Sequence, residues 1–570
     1  MNDTGICLAL PETCLEVNPR KMIRHSCKGI KIQLIQNSAL FYGTLIDFST
    51  ASFRVDITAN PPQTFQWIDP ESTVNLIFSD EKETLYSGEC KILKETGDHK
   101  KRSYVLEPIN YQTRRFKPKE FRSFRMELLP SPNIIFKHPF TEKVCSLKVM
   151  DLSGSGFSVE EDINSSVILP GMIIPELELS FADISNFKCK TQAVYRKIME
   201  EESGDWVKCG MTILDMDLED HGRILALLNH AKDGNSYICN RVNMDDLWAF
   251  FFESGFIYPK KYVFIEANKE KIKETYKKLY TRNPKIARHF IYQDKGRILG
   301  HVAMLRFYEN AWLIHHHAAR NPGINRSGIE VLDQIGRFSN ASHGLYSLHM
   351  DYLFCYFRPE NKFPNRIFGG VAREIKDPKA SSIDTFAYFH YQKATQSELR
   401  FPEPWRLIET EPEDLIEFGR YYEHNSGGLM LDALDLKPGM IDCDILSKEY
   451  QKLSFKREKY LFSLKNDVNL MAVFMANISD VGLNMSDLTN CIKVFVLDSK
   501  GLSKNILYQA LSHLSAKFDQ DEISVLLYPV SFAETQFVPY EKLYQMWVLN
   551  TEYGDHYFRC LKGLFKGMGS

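Results

Sequence analysis

Val149-Met-Asp151-Leu-Ser153-Gly-Ser-Gly156-Phe157 forms a tight polar turn inside a run of alternating apolar residues. A short basic segment precedes this turn and contains Arg114, Arg115, Lys117, Lys119, Arg122 and Arg125. The arginine fork pairs bidentately with phosphate or with the edge of guanine, and its plane stacks on bases. The turn supplies a carboxylate, a hydroxyl and a glycine backbone that a ligand can approach closely. The two elements together predict a local site for an anionic ligand.

The bulk properties of the chain restrict the kinds of partner that it can have. With 570 residues, it is long enough for about three to five domains. A formal net charge of -3 argues against general binding to DNA or RNA, because such binding depends on many Lys and Arg contacts with phosphate. Any phosphate site must therefore be local.

Targeting signals and cysteine usage both favour the cytoplasm. No apolar run approaches the roughly 20 residues that span a bilayer, and the N-terminus lacks the basic start and apolar core of a signal peptide. The 12 cysteines include no C-x-x-C pair, which favours reduced thiols in the protein core. We therefore expect a cytoplasmic protein with no transmembrane segment.

The first half of the chain has a β-strand pattern. After an N-terminal segment (1–27), residues 28–112 and 113–233 each contain short runs in which apolar and polar residues alternate. This period, interrupted by Asn, Pro and Asp turns, predicts two small antiparallel β-barrels in tandem. A helical stripe from Asp217 to His230 is expected to close the second one.

The basic segment and the polar turn resemble the signature of PilZ domains, in which an arginine arm and a D/N-x-S-x-x-G turn hold cyclic di-GMP. The resemblance implies a cyclic di-GMP site formed by Arg114, Arg115, Lys119, Arg122, Asp151, Ser153 and Gly156. The family's arm has the spacing R-x-x-x-R, whereas Arg115 to Lys119 gives R-x-x-x-K. Lysine keeps the charge but loses the fork, so this departure concerns ligand binding rather than the fold. A solvated basic linker followed by an ordinary β-turn is the alternative interpretation.

The first β-domain carries a weaker copy of the same turn. Residues 44–53, Thr44-Leu-Ile-Asp47-Phe-Ser49-Thr-Ala-Ser52-Phe53, are similar to the later turn but lack its final glycine. No arginine pair stands at a matching distance upstream, although Arg20, Lys21 and Arg24 lie in that direction. The copy is similar to a PilZ domain without its ligand chemistry, and we expect it to pack against its neighbour.

From residue 240 onwards the pattern becomes α/β and repeats itself. Residues 240–400 and 401–570 each show the order strand, hairpin, strand, strand, helix, strand, with an offset of about 173 residues. This order resembles the GCN5-related N-acetyltransferase (GNAT) fold, and tandem halves resemble FemAB-type aminoacyl transferases. The Pro-rich residues 359–420 are expected to cross between the halves. The predicted fold class is multidomain α+β, with two PilZ-like barrels followed by two GNAT-like α/β domains.

The GNAT resemblance implies an acyl-CoA site, since that family binds pyrophosphate with a loop that enters a helix. The implied residues in this chain are Arg320, Gly323, Arg326, Ser327 and Gly328, and a helix cap without a ligand is the alternative. The corresponding loop of the second half contains Asp498, whose charge would repel pyrophosphate. Proton transfer would then require an acid or a base, for which the candidates are His317, Tyr356 and Glu360.

A metal site is not predicted at His315-His316-His317. Neighbours on a strand point to opposite faces, so only His315 and His317 would share one face. No carboxylate or cysteine companion is evident in the sequence.

These features lead to three functional hypotheses. One is a FemAB-like transferase that uses aminoacyl-tRNA, although the acidic charge balance gives no sign of a tRNA surface. The other two concern cyclic di-GMP. The first is a cyclic di-GMP effector whose PilZ domain regulates an N-acyltransferase-like module that uses acyl-CoA and an amine acceptor. The second is an adaptor in which the GNAT-like half is a catalytically inactive scaffold that binds a protein partner. The sequence leaves open whether the chain is an enzyme.

Overall fold

The computed structural model describes most of the chain in two compact units. Unit 1 contains residues 1–117, 127–152 and 156–214, and unit 2 contains residues 118–126, 153–155 and 215–570. The described residues are 22–110, 112–113, 116, 119–121, 123–181, 185–200, 205–232, 236–238, 243–257, 262–320, 327–393, 401–441 and 443–566. In these ranges, no helix combines the length and the apolar character needed to cross a lipid bilayer. The domain boundaries predicted from sequence remain a prediction.

The first part of unit 1 is a closed antiparallel barrel. Its strands are β1 (His25–Ser26), β2 (Lys31–Gln36), β3 (Ala39–Ser49), β4 (Ser52–Thr58), β5 (Val74–Ser79), β6 (Thr84–Gly97) and β7 (Lys101–Pro108). Six of them follow the order β3-β2-β5-β6-β7-β4, the pairing of β3 with β4 closes the ring, and β1 adds to β3. Closure leaves no unpaired strand edge in the ring, which stabilises a small sheet.

The second part of unit 1 is also a closed six-stranded barrel, with the order β10-β13-β12-β11-β8-β9. Its strands are β8 (Asn133–Lys137), β9 (Val144–Ser153), β10 (Gly156–Asp162), β11 (Ile173–Phe181), β12 (Ser185–Met199) and β13 (Trp206–Met216). Burial alternates along β8, where Ile134 and Phe136 are buried and their neighbours are exposed. The prediction of two small antiparallel barrels is confirmed.

The two barrels of unit 1 share an aromatic contact. Phe140, in the loop between β8 and β9, is fully buried. Its ring centre lies 5.3 Å from that of Phe48 and 5.6 Å from that of Phe78, both in the first barrel. His138 from the same loop stacks on Phe48 at 5.3 Å. The first barrel therefore packs against its neighbour, as the sequence predicts for a copy without ligand chemistry.

Unit 2 contains thirteen α-helices and twelve strands among the residues that the structure describes. The helices are α1 (Leu218–Lys232), α2 (Met244–Glu253), α3 (Tyr262–Ala267), α4 (Lys269–Arg282), α5 (Ser327–Ser342), α6 (Lys362–Pro364), α7 (Val371–Ile375), α8 (Pro412–Asn425), α9 (Met430–Ala433), α10 (Ile445–Gln451), α11 (Lys504–Ser515), α12 (Val530–Thr535) and α13 (Gly554–Lys566). The strands are β14 (Ser236–Ile238), β15 (Ala287–Asp294), β16 (Arg297–Tyr308), β17 (Ala311–Ala319), β18 (Tyr352–Phe357), β19 (Ser381–Gln392), β20 (Trp405–Glu409), β21 (Arg457–Asn466), β22 (Asn469–Ser479), β23 (Cys491–Val496), β24 (Glu522–Tyr528) and β25 (Lys542–Asn550).

All twelve strands form one continuous sheet with a palindromic order. The order is β14-β15-β16-β17-β18-β25-β19-β24-β23-β22-β21-β20. Each half contributes an antiparallel run followed by one parallel pair, β17 with β18 and β23 with β24. The final strand of each half is exchanged, because β19 pairs with β24 of the second half and β25 pairs with β18 of the first. The repeat predicted from sequence is therefore present in the topology, whereas the assignment of each half to the GNAT fold remains a prediction.

The strand β19 was missed from sequence. Residues 359–420 were expected only to cross between the halves, yet Ser381–Gln392 within that range forms a central strand. It pairs with β25 from Ser381↔Leu549 to Tyr388↔Lys542. The run SSIDTFAYFHYQ is rich in β-branched and aromatic residues, so a strand signal was present.

Helix α1 contacts other residues of unit 2. Its residues belong to unit 2. The backbone oxygen of Leu218 at its start accepts a hydrogen bond from Arg288 Nη2 of β15 at 2.9 Å. His221, one turn further on, is fully buried. The apolar stripe is thus buried inside unit 2, since periodicity shows that a helix is amphipathic but not which surface it covers.

Candidate functional site

Asp151 and Gly156 of the predicted turn lie in unit 1, where β9 ends and β10 begins. Asp151 Oδ2 pairs with Lys208 Nζ of β13 at 2.9 Å. Gly156 pairs with Thr212, and a Cβ added at Gly156 would lie only 2.2 Å from the Met211 carbonyl oxygen. The close approach of two backbones explains why glycine is required here.

Ser153 to Ser155, the tip of the same turn, belong to unit 2. Ser153 is 1% exposed. The Gly154 carbonyl oxygen accepts a hydrogen bond from His221 Nε2 of α1 at 2.8 Å. A Cβ at Gly154 would lie 2.4 Å from Leu225 Cδ2 and 2.8 Å from the Cβ of Ala341 in α5. Burial lowers the pKa of His221 to about 4, so the imidazole is neutral and donates from Nε2. The tip of the turn is therefore packed between α1 and α5.

Lys119 and Arg125 are the members of the basic segment that the structure describes, and Arg114, Arg115, Lys117 and Arg122 lie outside the described residues. Lys119 Nζ donates to His343 Nε2 at 2.8 Å and approaches Asn340 Oδ1 at 3.4 Å. Burial lowers the pKa of Lys119. Burial, with Lys119 as a further cause, lowers the pKa of His343 to about 4. The imidazole can thus accept from lysine through Nε2 while its Nδ1 donates to the Ser339 carbonyl oxygen at 3.0 Å.

Both predicted elements meet the same end of helix α5. Lys119 contacts Asn340 and His343, and Gly154 lies against Ala341. These three residues form the last turn of α5 and its immediate continuation. Within unit 2, Lys119 of the basic segment and Gly154 at the tip of the polar turn therefore both contact the C-terminal end of α5.

In the weaker turn of the first barrel, two arginines of the same unit neutralise the aspartate. Asp47 Oδ1 pairs with Arg24 Nε at 2.6 Å, and Asp47 Oδ2 pairs with Arg54 Nη2 at 2.5 Å. Arg24 Nη1 also donates to Ser52 Oγ at 2.6 Å. Arg24 does reach this turn, but its guanidinium is already bonded to Asp47 and Ser52 and is not available to a ligand. The interactions support the interpretation that the first copy is structural.

The predicted acyl-CoA residues are only partly described. Gly323 and Arg326 lie outside the described residues. Arg320 forms an ion pair with Glu253, and its guanidinium lies 5.7 Å from the ring centre of Phe250. Ser327 begins α5 and is buried, and the Gly328 carbonyl oxygen accepts a hydrogen bond from His317. An internal carboxylate therefore already neutralises the arginine assigned to pyrophosphate.

The three predicted catalytic residues do not form one group. His317 Nε2 donates to the Gly328 oxygen at 2.8 Å, on the face of the sheet that α5 covers. Tyr356 packs against the core cluster on the opposite face, and its buried hydroxyl has no partner among the described residues. Glu360 is exposed beyond β18. Burial lowers the pKa of His317 and raises that of Tyr356. Catalytic roles for these residues remain predictions.

The expected alternation of the three histidines is wrong because β17 contains a bulge. The register shifts between Ala303↔His315 and His301↔Ala318, and His316 has a φ of 52°. An extra residue in one strand interrupts the alternation of faces. The rings of His315 and His316 consequently lie 3.9 Å apart, on the same side. In the described part of the chain, no group of three His, Cys, Asp or Glu side chains is arranged to hold a metal ion.

Asp384 of β19 is a candidate residue that the sequence analysis missed. It is 3% exposed and accepts hydrogen bonds from Tyr422 at 2.6 Å and Ser426 at 2.9 Å. Burial is the main cause that raises the pKa of its carboxyl from 3.8 to about 6. A carboxyl that titrates near neutral pH is suited to proton transfer. Recognition of β19 as a buried strand would have drawn attention to this lone acid.

We expect Asp384→Asn to change how stability depends on pH. The raised pKa favours the native state while the carboxyl is protonated, and this advantage is lost as the pH rises from about 4 to about 6. The loss in the wild type amounts to about 3 kcal/mol, because each pKa unit corresponds to about 1.4 kcal/mol. Asparagine does not titrate in this range. The free energy of unfolding of the variant, relative to that of wild type, should therefore rise by this amount between about pH 4 and about pH 6.

Chemical denaturation of both proteins at several pH values checks this expectation. Asp519→Asn, which changes an exposed aspartate of unit 2, is the matched control. A difference between Asp384→Asn and wild type that stays constant with pH would show that Asp384 does not titrate in this range.

Comparison with known proteins finds only distant structural likenesses. No protein-family model matches the chain, and no curated protein matches it. The MrkH–c-di-GMP complex of K. pneumonia is 14% identical, covers 36% of this chain and 90% of its own, and has a TM-score of 0.18. Escherichia coli YcgR in complex with c-di-GMP is 13% identical, with shares of 36% and 86% and a TM-score of 0.17. The Bacillus subtilis inhibitor of motility MotI is 11% identical, with shares of 36% and 95% and a TM-score of 0.17. TM-scores this low carry no inference about this chain.

Proposed function

We propose that this protein is a cyclic di-GMP-binding effector. The basic segment from Arg114 to Arg125 and the turn from Asp151 to Gly156 hold the nucleotide. Cyclic di-GMP presents two phosphates and two guanines, which match arginine forks and an aspartate that accepts guanine N–H groups. Its ligand site is local, as the net charge of -3 requires.

The observation that carries this proposal is the meeting of the two elements at the end of α5. Lys119 and Gly154 are 35 positions apart in the chain (154 minus 119), yet both contact the stretch from Asn340 to His343. The structure therefore holds Lys119 and the turn close together on one helix end. This proximity supports a joint role for the two elements in binding the nucleotide.

We assign unit 2 the role of a scaffold that responds to the nucleotide. At the first predicted pyrophosphate loop, Glu253 pairs with Arg320. At the second, the Asp498 carboxylate accepts the N–H groups of Lys500 and Gly501, each at 2.9 Å. Carboxylates of the chain thus occupy the groups that an anion would use. This internal neutralisation favours an adaptor that docks a protein partner.

An N-acyltransferase module remains the second candidate for unit 2, because one parallel strand pair diverges. Within the described residues, β17 and β18 pair only from Ala311↔Tyr352 to Leu313↔Phe354, although β17 continues to Ala319. In the second half, β23 and β24 pair over five positions from Cys491↔Ser524 to Phe495↔Tyr528. The gap beyond Leu313 would offer the sheet edge that an acyl-CoA chain needs, with Ser327 and Gly328 close to it.

Calorimetric titration of the full chain tests both parts of the proposal. We expect saturable binding of cyclic di-GMP, no comparable heat with GMP or cyclic di-AMP, and no response to acetyl-CoA. Absence of cyclic di-GMP binding would refute the effector proposal. Saturable binding of acetyl-CoA would instead favour the acyltransferase candidate for unit 2.

A further inference from the structure

Helix α13 holds the backbone of the basic segment through one carboxylate. Asp555, in the first turn of α13, accepts the N–H of Glu120 at 2.7 Å through Oδ2 and the N–H of Phe121 at 3.2 Å through Oδ1. One turn later, Arg559 Nε donates to Glu120 Oε2 at 2.9 Å. Hydrogen bonds to an ionised group are stronger than neutral ones, whereas the exposed Glu120–Arg559 pair adds little. Asp555 is therefore the principal anchor.

Side chains of α5 and α13 complete this docking. Asn340 Nδ2 donates to the Phe121 carbonyl oxygen at 2.6 Å. The Phe121 ring lies 5.9 Å from that of Phe558, and Lys562 Nζ lies 5.7 Å from the Phe121 ring centre. Backbone, amide and ring contacts thus all fix the segment from Lys119 to Phe121 on these two helices.

The same contacts keep two predicted ligand groups from a nucleotide. Lys119 Nζ is engaged by His343 and Asn340. Ser153 is 1% exposed, and the adjoining Gly154 is bonded to His221 and packed against Ala341. A phosphate can pair with the Lys119 amine only after that amine leaves His343 and Asn340.

We infer that this docking is an autoinhibitory contact, and that cyclic di-GMP and the α5–α13 surface compete for the basic segment and the turn. The inference rests on the proposed function and adds to it how binding is regulated. Nucleotide binding releases residues 119–121 and 153–155 and uncovers the ends of α5 and α13. Those uncovered helix ends are the change that a partner could recognise.

The competition has a quantitative consequence. A ligand that binds only the released form has an apparent dissociation constant equal to the intrinsic constant divided by the released fraction. Weakening the docking raises that fraction without touching the ligand site. Loss of the two bonds to Asp555 should therefore raise the affinity for cyclic di-GMP, by about tenfold if the docking loses about 1.4 kcal/mol.

Cyclic di-GMP titrations of full-length Asp555→Ala, Asn340→Ala and wild type provide the test. Asp333→Ala is the matched control, because Asp333 is an exposed acid of α5 that pairs with Arg337 and not with the basic segment. We expect about tenfold tighter binding for Asp555→Ala, a smaller gain for Asn340→Ala, and wild-type affinity for the control. Hydrogen exchange of the Glu120 and Phe121 amides should be slow in the free wild type and faster with cyclic di-GMP.

The outcomes separate this inference from the proposed function. If the wild type binds cyclic di-GMP and Asp555→Ala binds it with equal or weaker affinity, the competition is overturned. The effector proposal is then intact. Slower exchange of the Glu120 and Phe121 amides on nucleotide binding has the same consequence. If none of the proteins binds cyclic di-GMP, both proposals fail together. A folded Asn340→Ala variant keeps the test decisive should Asp555→Ala fail to fold.

Discussion

Replacing both Arg114 and Arg115 with alanine should lower the affinity for cyclic di-GMP by about a thousandfold. Each bidentate arginine contact with a guanine edge is worth about 1–3 kcal/mol, and contacts with phosphate are of similar strength. Two such losses amount to about 4 kcal/mol, which corresponds to about three powers of ten in the dissociation constant. Calorimetric titration of the full chain measures this change.

The control for this double variant removes two charges elsewhere. Lys91→Ala/Lys94→Ala changes two exposed lysines of β6 in the first barrel. If affinity depended only on net charge, the two double variants would bind equally weakly. We expect the control to bind like wild type, because a local site depends on side chains that contact the ligand. Full-strength binding by the arginine variant would exclude the basic segment from the site.

Phe140→Ala should destabilise unit 1 by about 3–5 kcal/mol, the typical loss for a buried phenylalanine. The ring is fully buried. It makes edge contacts with Phe48, Phe78 and His138, with centres 5.3, 5.6 and 5.4 Å away. Its removal leaves a cavity where the two barrels meet, since close-packed aromatic neighbours cannot collapse into it.

Chemical denaturation, monitored by hydrogen exchange in peptides from β3 and β5, measures this loss of stability within unit 1. Leu129→Ala is the matched control, because Leu129 is 94% exposed in the same unit. Removal of an exposed apolar side chain should change stability by no more than about 0.5 kcal/mol. Equal effects of the two substitutions would show that Phe140 does not join the barrels.

Local sequence patterns predicted which residues form strands better than they predicted which strands pair. Period-two alternation identified the barrel strands, because burial of one face imposes that period on a strand. In unit 2 the same reasoning found both hairpins, at Asp294/Arg297 and at Asn466/Asn469. It did not identify β19, whose strand signal is flanked on both sides by turn-forming residues.

The chemistry of the candidate site remains a prediction, and its surroundings were not foreseen. The resemblance of Lys119, Asp151 and Ser153 to the PilZ signature implied an anionic ligand. Nothing local indicated that Asp555, more than four hundred positions after Glu120, would bind its backbone N–H. The alternation of His315 to His317 also failed, because a single left-handed residue at His316 turns the chain.

The sequence by itself determined two barrels, a repeated α/β pattern and a local cationic and polar chemistry, because periodicity and residue type act over a few neighbouring positions. Only the tertiary structure decided that the halves of the sheet exchange β19 and β25, since alternation specifies a strand but not its partner. It also decided that the end of α5 meets Lys119 and Gly154. Contacts between distant positions depend on how whole surfaces pack, and no short segment contains that information.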